Sequence, residues 1–257
     1  MAKKTTKNGR LLVTYPVLQG NGSKYTATNI AHALKVNDSD VSVALVDLDF
    51  KSPFLAGYLS GHDNIHTIDN LIERIDGGFL DEEAVENNMV ELKNGVHLLK
   101  GTKLKNTYYF IKQEHIRQIL IMLKKMYDFV IVAVSNGNDS LSTTVTMLSA
   151  DHVLLVSKND YSNFSALENE IEFVQNYAIH EDNIKLIFNM YDPTSDLDFE
   201  HILSSKGVPL ISWVPYNIET VNNKNIGSTK MMGKFIKSRK EEGPYDLIVA
   251  ELMEKLK

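Results

Sequence analysis

"VTYPVLQGNGSKYTATNIAHAL", from Val13 to Leu34, joins an apolar strand to a helix of small residues through a loop with two glycines. This is the outline of a phosphate-binding loop, in which backbone amides and a helix N-terminus approach phosphate oxygens. Gly20 and Gly22 suit the tight backbone, and the helix is predicted to begin at about Ser23. The usual Gly-Lys-Ser/Thr ending is absent. The loop alone therefore fits a nucleotide site and a simple strand-to-helix turn equally well.

Further apolar runs along the chain predict β-strands. Most are continuously apolar, which is typical of parallel strands that helices cover on both faces. Helical patterns fill the gaps between them, so the sequence predicts an α/β fold with a doubly wound, mostly parallel sheet. The predicted strands are Arg10–Tyr15, Val41–Leu48, Gly95–Gly101, Asp128–Ser135, His152–Ser157, Ile184–Met190 and Pro209–Val214.

Five helical patterns carry apolar stripes, and in three of them the residues fall at i, i+3, i+4 and i+7. The first follows the glycine loop and is expected to bury a face of small and branched residues against the sheet. The last closes the chain, and we expect it to pack on the domain. The stripes comprise Ala27, Ile30, Ala31 and Leu34; Ile68, Leu71, Ile72 and Ile75; Ile116, Ile119, Leu120 and Leu123; Phe164, Leu167, Ile171 and Val174; and Leu247, Ile248, Leu252 and Leu256.

Composition limits the class of protein. The 257 residues include 27 basic and 33 acidic side chains, and the net charge of −6 argues against a protein that binds nucleic acid over its whole surface. Cysteine is absent, which excludes disulfides and thiolate chemistry. No apolar run has the roughly 20 residues of a membrane helix. We predict a cytoplasmic protein with a flexible basic tail over residues 1–9 and a single P-loop α/β domain over 10–257.

The second predicted strand sharpens the interpretation of the loop. VALVDLDFKSPFLAGYL (Val43–Leu59) ends its apolar run in Asp47-x-Asp49. Together with the loop, this resembles the deviant-Walker ParA/MinD family of P-loop ATPases, which includes pilus-assembly relatives of the CpaE/TadZ type. That family has a Lys-Gly-Gly-x-Gly-Lys-Thr loop and then a strand that ends in Asp-x-Asp. Later segments agree in family order, from about Leu11 to about Gly227, so the resemblance covers nearly the whole chain.

The resemblance also gives a register for the loop. Matching the apolar face of the following helix to the family puts Ser23 in the position of the phosphate-binding Lys and Lys24 in that of the Mg²⁺-binding Thr. The family's signature Lys maps to Leu18 or Val17, so both lysines are missing in this register. A shift of one residue puts Lys24 in the Lys position, but Tyr25 then replaces the Thr, and a tyrosine is a poor Mg²⁺ ligand.

The strand that resembles Walker B departs from the family as well. Ala133 takes the place of the Asp that reaches the Mg²⁺ shell, and Asp139, further along, is a weak substitute. By resemblance, Asp47 is the candidate Mg²⁺ residue and Asp49 the candidate catalytic residue beside the attacking water. The alternative is that both are inherited and only cap the next loop. The candidate nucleotide-binding residues are Gly20, Asn21, Gly22, Ser23, Lys24, Tyr25, Asn189, Tyr216 and Asn217. The resemblance implies adenine contacts for the last three, and packing explains them equally well.

These departures favour a positioning or assembly factor with a degenerate nucleotide site and little or no ATP hydrolysis. Phosphoryl transfer depends on cations that face the β- and γ-phosphates, and several of their anchors are missing. The resemblance implies ATP or ADP, and Mg²⁺, as possible ligands. It also implies a homodimer or larger assembly and a protein partner from a positioning, partition, pilus or secretion system.

Two alternatives remain open from the sequence. One is an active ATPase for plasmid or chromosome partition with ATP-dependent, non-specific DNA binding. The other is a nucleotide-free scaffold of a pilus or secretion apparatus. A basic segment near the C-terminus is the candidate DNA surface for the first alternative; its residues are Lys230, Lys234, Lys237, Arg239 and Lys240.

Overall fold

An eight-stranded β-sheet forms the centre of the computed structural model, which describes residues 7–60, 65–103, 107–137, 141–177, 179, 181–216 and 243–254. Its longest strands are rich in branched and aromatic apolar residues, and the central strands are buried along almost their whole length. The strands are β1 (Arg10–Pro16), β2 (Val43–Asp47), β3 (Val90–Glu91), β4 (His97–Leu99), β5 (Phe129–Ala133), β6 (His152–Ser157), β7 (Ile184–Tyr191) and β8 (Leu210–Pro215).

The strand order confirms the predicted doubly wound sheet. It runs β3-β4-β2-β5-β1-β6-β7-β8, and all neighbours are parallel except β3, which pairs antiparallel with β4. The seven predicted strands are present with boundaries shifted by up to two residues. The edge strand β3 was not predicted because Val90–Glu91 is too short to give an apolar run.

Helices cover both faces of the sheet. One face packs against α1, α2 and α9, and the other against α3 to α8. Two short 3₁₀ segments, Thr107–Phe110 and Glu181–Asn183, lie in the connections. The α-helices are α1 (Ser23–Asn37), α2 (Leu55–Leu59), α3 (Ile68–Asp76), α4 (Glu82–Glu86), α5 (Gln113–Met126), α6 (Leu141–Ser149), α7 (Tyr161–Gln175), α8 (Phe199–Lys206) and α9 (Asp246–Glu254).

The predicted apolar stripes account for the packing of most of these helices. The four stripe residues of α1 and the four of α5 are fully buried. In α9 the stripe is rotated: Ile248, Val249 and Leu252 are buried, whereas Leu247 is 57% exposed. The helix therefore packs on the domain beside α1, as predicted, but through a different set of residues. Among the described residues, no helix has the length and apolarity needed to cross a bilayer.

The first described residues are held against the domain. Nζ of Lys7 lies 2.7 Å from Oδ2 of Asp128 and 2.7 Å from Oγ of Ser42. The amide of Gly9 donates to the carbonyl of Lys124 at 2.8 Å. Burial alone would raise the pKa of Asp128, but the hydrogen bonds from Lys7 and Ser42 outweigh it and lower that pKa. These contacts anchor the end of the segment for which the sequence predicted a flexible tail.

The sheet has a topological switch point at β1. The connection through α1 leads from β1 towards β2 on one side, whereas β6 lies on the other side of β1. In open α/β sheets, ligands bind in the crevice beyond the carboxyl ends of the strands at such a point. The glycine loop of residues 17–22 lies there, directly after β1.

Candidate functional site

The glycine loop has the backbone of a phosphate-binding loop. Gly20 and Gly22 both have φ of 87°, in the left-handed region that favours glycine. Gly22 is the N-cap of α1, and the helix begins at Ser23. This start agrees with the register that places Ser23 in the position of the family's phosphate-binding Lys and Lys24 in that of the Thr.

Hydrogen bonds among buried asparagine residues support the glycine loop. Nδ2 of Asn189, at the end of β7, donates to the carbonyl of Asn21 at 2.7 Å. Nδ2 of Asn21 in turn donates to the carbonyl of Val156 at 3.1 Å and to the side chain of Asn163. All three asparagines are buried. The adenine role of Asn189 stays a prediction, whereas the structure shows a support for the loop that the sequence did not indicate.

Packing also requires glycine at position 22. A Cβ added there lies 2.2 Å from Nδ2 of Asn189, whereas a Cβ at Gly20 meets no atom within 4 Å. The close approach of Asn189 thus depends on the absence of a side chain at Gly22. The two glycines share a backbone conformation but not a packing environment.

Several amides of the loop and of the start of α1 make no backbone hydrogen bond to any described residue. Within the described part of the chain, the amides of Gly20, Gly22, Ser23 and Lys24 donate no hydrogen bond to another backbone group, and the amide of Thr26 donates to the carbonyl of Gly22 at 2.9 Å. Successive unpaired amides at the start of a helix form an anion-binding concavity with a positive electrostatic potential. The backbone is therefore suited to phosphate even though the predicted register places other residues at the family's lysine positions.

The side chain of Lys24 is directed to the aspartates that follow β2. Its Nζ lies 2.8 Å from Oδ2 of Asp49 and 3.8 Å from Oδ1 of Asp47, and it also donates to the carbonyl of Ser52. The side chain of Lys24 is 16% exposed. The structure thus brings together three predicted site residues, but it pairs them with one another.

Asp47 is the most constrained of the three. Its side chain is buried, Oδ2 accepts from the amide of Leu55 at 2.9 Å, and Oδ1 accepts from the amide of Asp49 at 3.3 Å. Burial raises the pKa of Asp47 to about 6, although the charge of Lys24 and the hydrogen bond from Leu55 oppose the rise. Without Lys24, the ionised form would be disfavoured still further.

The residue of β5 that lies opposite Asp47 is uncharged. Ala133 lies opposite Asp47 in the β2–β5 register and is fully buried. An aspartate is therefore absent from this strand position, as the sequence indicates. Asp139, the weak substitute, lies outside the described residues.

Tyr25 points away from the crevice. Its side chain packs against the core on the α1 side of the sheet, and its hydroxyl is buried near that of Tyr245, which precedes α9. Tyr245 is only 2% exposed, and burial raises the pKa of its hydroxyl. The side chain of Tyr25 therefore serves packing, and only its backbone remains a candidate for phosphate contact.

A buried tyrosine connects the loop strand to the segment after β5. The hydroxyl of Tyr15 accepts from the amide of Gly137 at 2.8 Å and donates to Oε2 of Glu170 at 2.5 Å. Burial raises the pKa of Tyr15, and the hydrogen bond to Glu170 adds to the rise. Burial also raises the pKa of Glu170, which lies on α7. No sequence pattern indicated this contact, because its partners lie far apart along the chain.

The remaining predicted residues are not brought to the loop by described contacts. Tyr216 follows β8 and is 56% exposed. The other predicted residues lie outside the described part of the chain; they are Asn217 and the basic residues Lys230, Lys234, Lys237, Arg239 and Lys240.

Solved structures with the same fold come from the ParA and MinD ATPases. A ParA family ATPase from Chlorobium tepidum TLS superimposes with a TM-score of 0.78 at 17% identity, over 95% of this chain and 98% of that one. The MinC:MinD cell division protein complex of Aquifex aeolicus gives a TM-score of 0.72 at 20% identity, over 96% of each chain. The septum site-determining protein MinD from Pyrococcus horikoshii OT3, complexed with Mg-ADP, gives 0.72 at 19%, over 96% and 97%.

Sequence comparison adds no relative to these structures. No protein-family model matches the chain, and no curated protein matches it. The structural likeness covers nearly the full length at low identity. It establishes the predicted ParA/MinD P-loop fold, and the chemistry of this chain has to be argued from its own residues.

Proposed function

We propose that the chain is a ParA/MinD-type positioning or assembly factor whose nucleotide site is retained in its backbone and degenerate in its side chains. In this proposal it acts through a dimer or larger assembly and recruits a protein partner. Nucleotide serves as a structural ligand or slow switch, and ATP hydrolysis is slow or absent. The fold, shared with a ParA family ATPase, a MinC:MinD cell division protein complex and a plasmid partition protein, supports the general class.

The pairing of Lys24 with Asp49 and Asp47 is the observation that carries the proposal. A cation that assists phosphoryl transfer has to face the β- and γ-phosphates. Here the only lysine at the start of α1 is directed to Asp49, Asp47 and the carbonyl of Ser52. Removing one positioned donor from such a site costs about 3 kcal/mol of transition-state stabilisation. The loss of several should make turnover very slow.

Binding is less affected than hydrolysis because it relies on the backbone. The amides around Gly20 and Gly22 need no side chain to contact phosphate oxygens, and the start of α1 adds its dipole. The P. horikoshii MinD with the same fold is complexed with Mg-ADP. ADP or ATP is therefore the ligand class we assign to the crevice.

Exposed aromatic side chains at the same edge of the sheet support an assembly through this face. Phe54 and Tyr161, which follow β2 and β6, are 49% and 73% exposed, and Tyr216 follows β8. Exposed aromatic residues are enriched at protein interfaces. The A. aeolicus MinD was solved as a complex with MinC, which supports the proposal of a protein partner for this chain.

Nucleotide binding by the purified protein tests the proposal. We expect ADP and ATP to raise the melting temperature in a saturable manner, because a ligand that binds only the folded state stabilises it. Gly22→Ala should abolish the shift, since it alters the loop, whereas Tyr161→Phe should retain it. The same samples should release no phosphate above the background. An unchanged melting temperature at saturating nucleotide would instead favour a nucleotide-free scaffold.

A further inference from the structure

The carboxylates after β2 do not fit the divalent cation that the fold implies. Mg²⁺ requires near-octahedral oxygen ligands at about 2.1 Å and binds mainly to carboxylates and water. Here the ammonium of Lys24 already lies 2.8 Å from Oδ2 of Asp49 and 3.8 Å from Oδ1 of Asp47. A cation bound to either carboxylate would lie next to this ammonium and be repelled by it.

The oxygen atoms of Asp47 and Asp49 are also occupied in other ways. Both oxygens of Asp47 accept backbone amides, those of Leu55 and Asp49. The second oxygen of Asp49 accepts the amide of Ser52 at 3.2 Å. The ammonium has three donors; two serve Asp49 and the carbonyl of Ser52, and the third remains for the charge of Asp47. Each of the four carboxylate oxygens therefore has a hydrogen-bond donor without a metal ion.

The position of Lys24 explains how this replacement arises. It is the second residue of α1, so its side chain starts where the loop meets the helix and reaches across to the end of β2. In the register supported by the helix start, this is the position from which a Thr would ligate Mg²⁺. One long cationic side chain therefore replaces both a metal ligand and the metal's charge.

We propose that Lys24 is a built-in substitute for the divalent cation, so that Asp47 and Asp49 bind no metal. The inference deepens the proposed function: any nucleotide in the crevice is held as the metal-free species, by loop amides and without a bridging Mg²⁺. The ion pair supplies one positive charge where Mg²⁺ would supply two. It also fixes the loop after β2 through the carbonyl of Ser52.

Mn²⁺ binding to the full-length, nucleotide-free protein tests this inference by the electron paramagnetic resonance signal of free Mn²⁺. Mn²⁺ is a suitable probe because it shares the preference of Mg²⁺ for carboxylate ligands. We expect no saturable site in the wild type. Lys24→Thr frees both aspartates and offers a hydroxyl, so it should bind Mn²⁺ at least about tenfold more tightly than the wild type. Adding Asp47→Asn should abolish the gain.

Matched variants make the result specific. Lys35→Thr makes the same change in the last turn of the same helix, where Nζ bonds the carbonyls of Ser39 and Val41, and it should gain no Mn²⁺ site. Lys24→Met replaces Lys24→Thr if circular dichroism shows that the latter does not fold. A saturable site in the wild type that Asp47→Asn removes would overturn the inference. So would folded Lys24 variants that gain none.

The manganese test of this inference and the nucleotide tests of the proposed function can fail separately. Manganese uptake is measured without nucleotide, whereas the proposed function depends on nucleotide binding and slow turnover. A wild-type protein that binds Mn²⁺ but hydrolyses no ATP would contradict only the role of Lys24 as a substitute cation. Rapid turnover in a protein whose aspartates take up no Mn²⁺ would contradict only the proposed function.

Discussion

Nζ of Lys24 lies 2.8 Å from Oδ2 of Asp49, and this contact links the first turn of α1 to the end of β2. The same ammonium lies 3.8 Å from the buried carboxylate of Asp47. A lysine in a phosphate-binding loop is expected to face phosphate, yet this one neutralises two aspartates. The contact therefore bears on stability as well as on chemistry.

Removal of the Lys24 charge should destabilise the protein strongly. Lys24→Met leaves Asp47 as a buried carboxylate without its neighbouring cation, and breaking one side of such a pair typically costs about 3 kcal/mol. Urea unfolding measures the change in the free energy of unfolding. In an Asp47→Asn/Asp49→Asn background the same substitution should cost less than about 1 kcal/mol, because it leaves no buried carboxylate unpaired. Equal costs in both backgrounds would show that the pair is not coupled.

The buried carboxylate should also give a pH dependence of known sign. Burial raises the pKa of Asp47 from its ordinary value of 3.8 to about 6 in the folded state. Between these two values the folded state binds a proton that the unfolded state lacks. The stability from this group is therefore present at low pH and is lost as pH rises through the folded pKa.

Comparison with Asp47→Asn isolates this effect. As pH falls from about 7.5 to about 5, the free energy of unfolding of the wild type should rise by about 1 kcal/mol relative to Asp47→Asn. Groups other than Asp47 titrate in both proteins and cancel in the difference. A difference that is constant with pH, or that falls as the pH is lowered, would contradict the raised pKa.

The two loop glycines should tolerate alanine unequally. Both have φ of 87°, so alanine costs roughly 1–2 kcal/mol at either position through backbone strain. At Gly22 the new Cβ also meets Nδ2 of Asn189 at 2.2 Å, which should roughly double the cost. Chemical denaturation of Gly20→Ala and Gly22→Ala measures the difference. Equal stabilities would mean that Asn189 does not pack against the loop as described.

The hydroxyl of Tyr15 should hold the segment after β5. Tyr15→Phe leaves the amide of Gly137 without its acceptor and Glu170 without its donor, at a cost of about 1–3 kcal/mol. Hydrogen exchange of the Gly137 amide should become faster. Tyr161→Phe is the control. Because Tyr161 is 73% exposed, loss of its hydroxyl should lower the free energy of unfolding by less than about 0.5 kcal/mol. Unchanged exchange at Gly137 in Tyr15→Phe would contradict the contact.

The architecture could be predicted because local sequence patterns indicate its strands and helices. Continuous apolar runs marked the buried parallel strands, and stripes such as Ile116 to Leu123 marked the helix faces. The patterns failed where the signal was short or ambiguous. The strand β3 has two residues, and in α9 both Leu247 and Val249 fit an apolar face, but packing buries only Val249.

The candidate site was harder to predict because its contacts join distant residues. The sequence showed that Lys24 and Asp49 belong to neighbouring motifs, but not that their side chains meet. The support of Asn21 by Asn189 spans 168 positions, and no local pattern encodes it. The loop register came from matching the apolar face of α1 to the family that the sequence resembles, and the start of α1 at Ser23 agrees with it.

ATP turnover tests the central claim most directly. Phosphate release with Mg²⁺ should be measured for the wild type, Lys24→Ala and Asp49→Asn, with folding checked by circular dichroism. If Lys24 serves the aspartates and the site is degenerate, all three proteins should release phosphate at the same rate as a protein-free control. Rapid, Mg²⁺-dependent turnover by the wild type that disappears in Lys24→Ala would contradict the account.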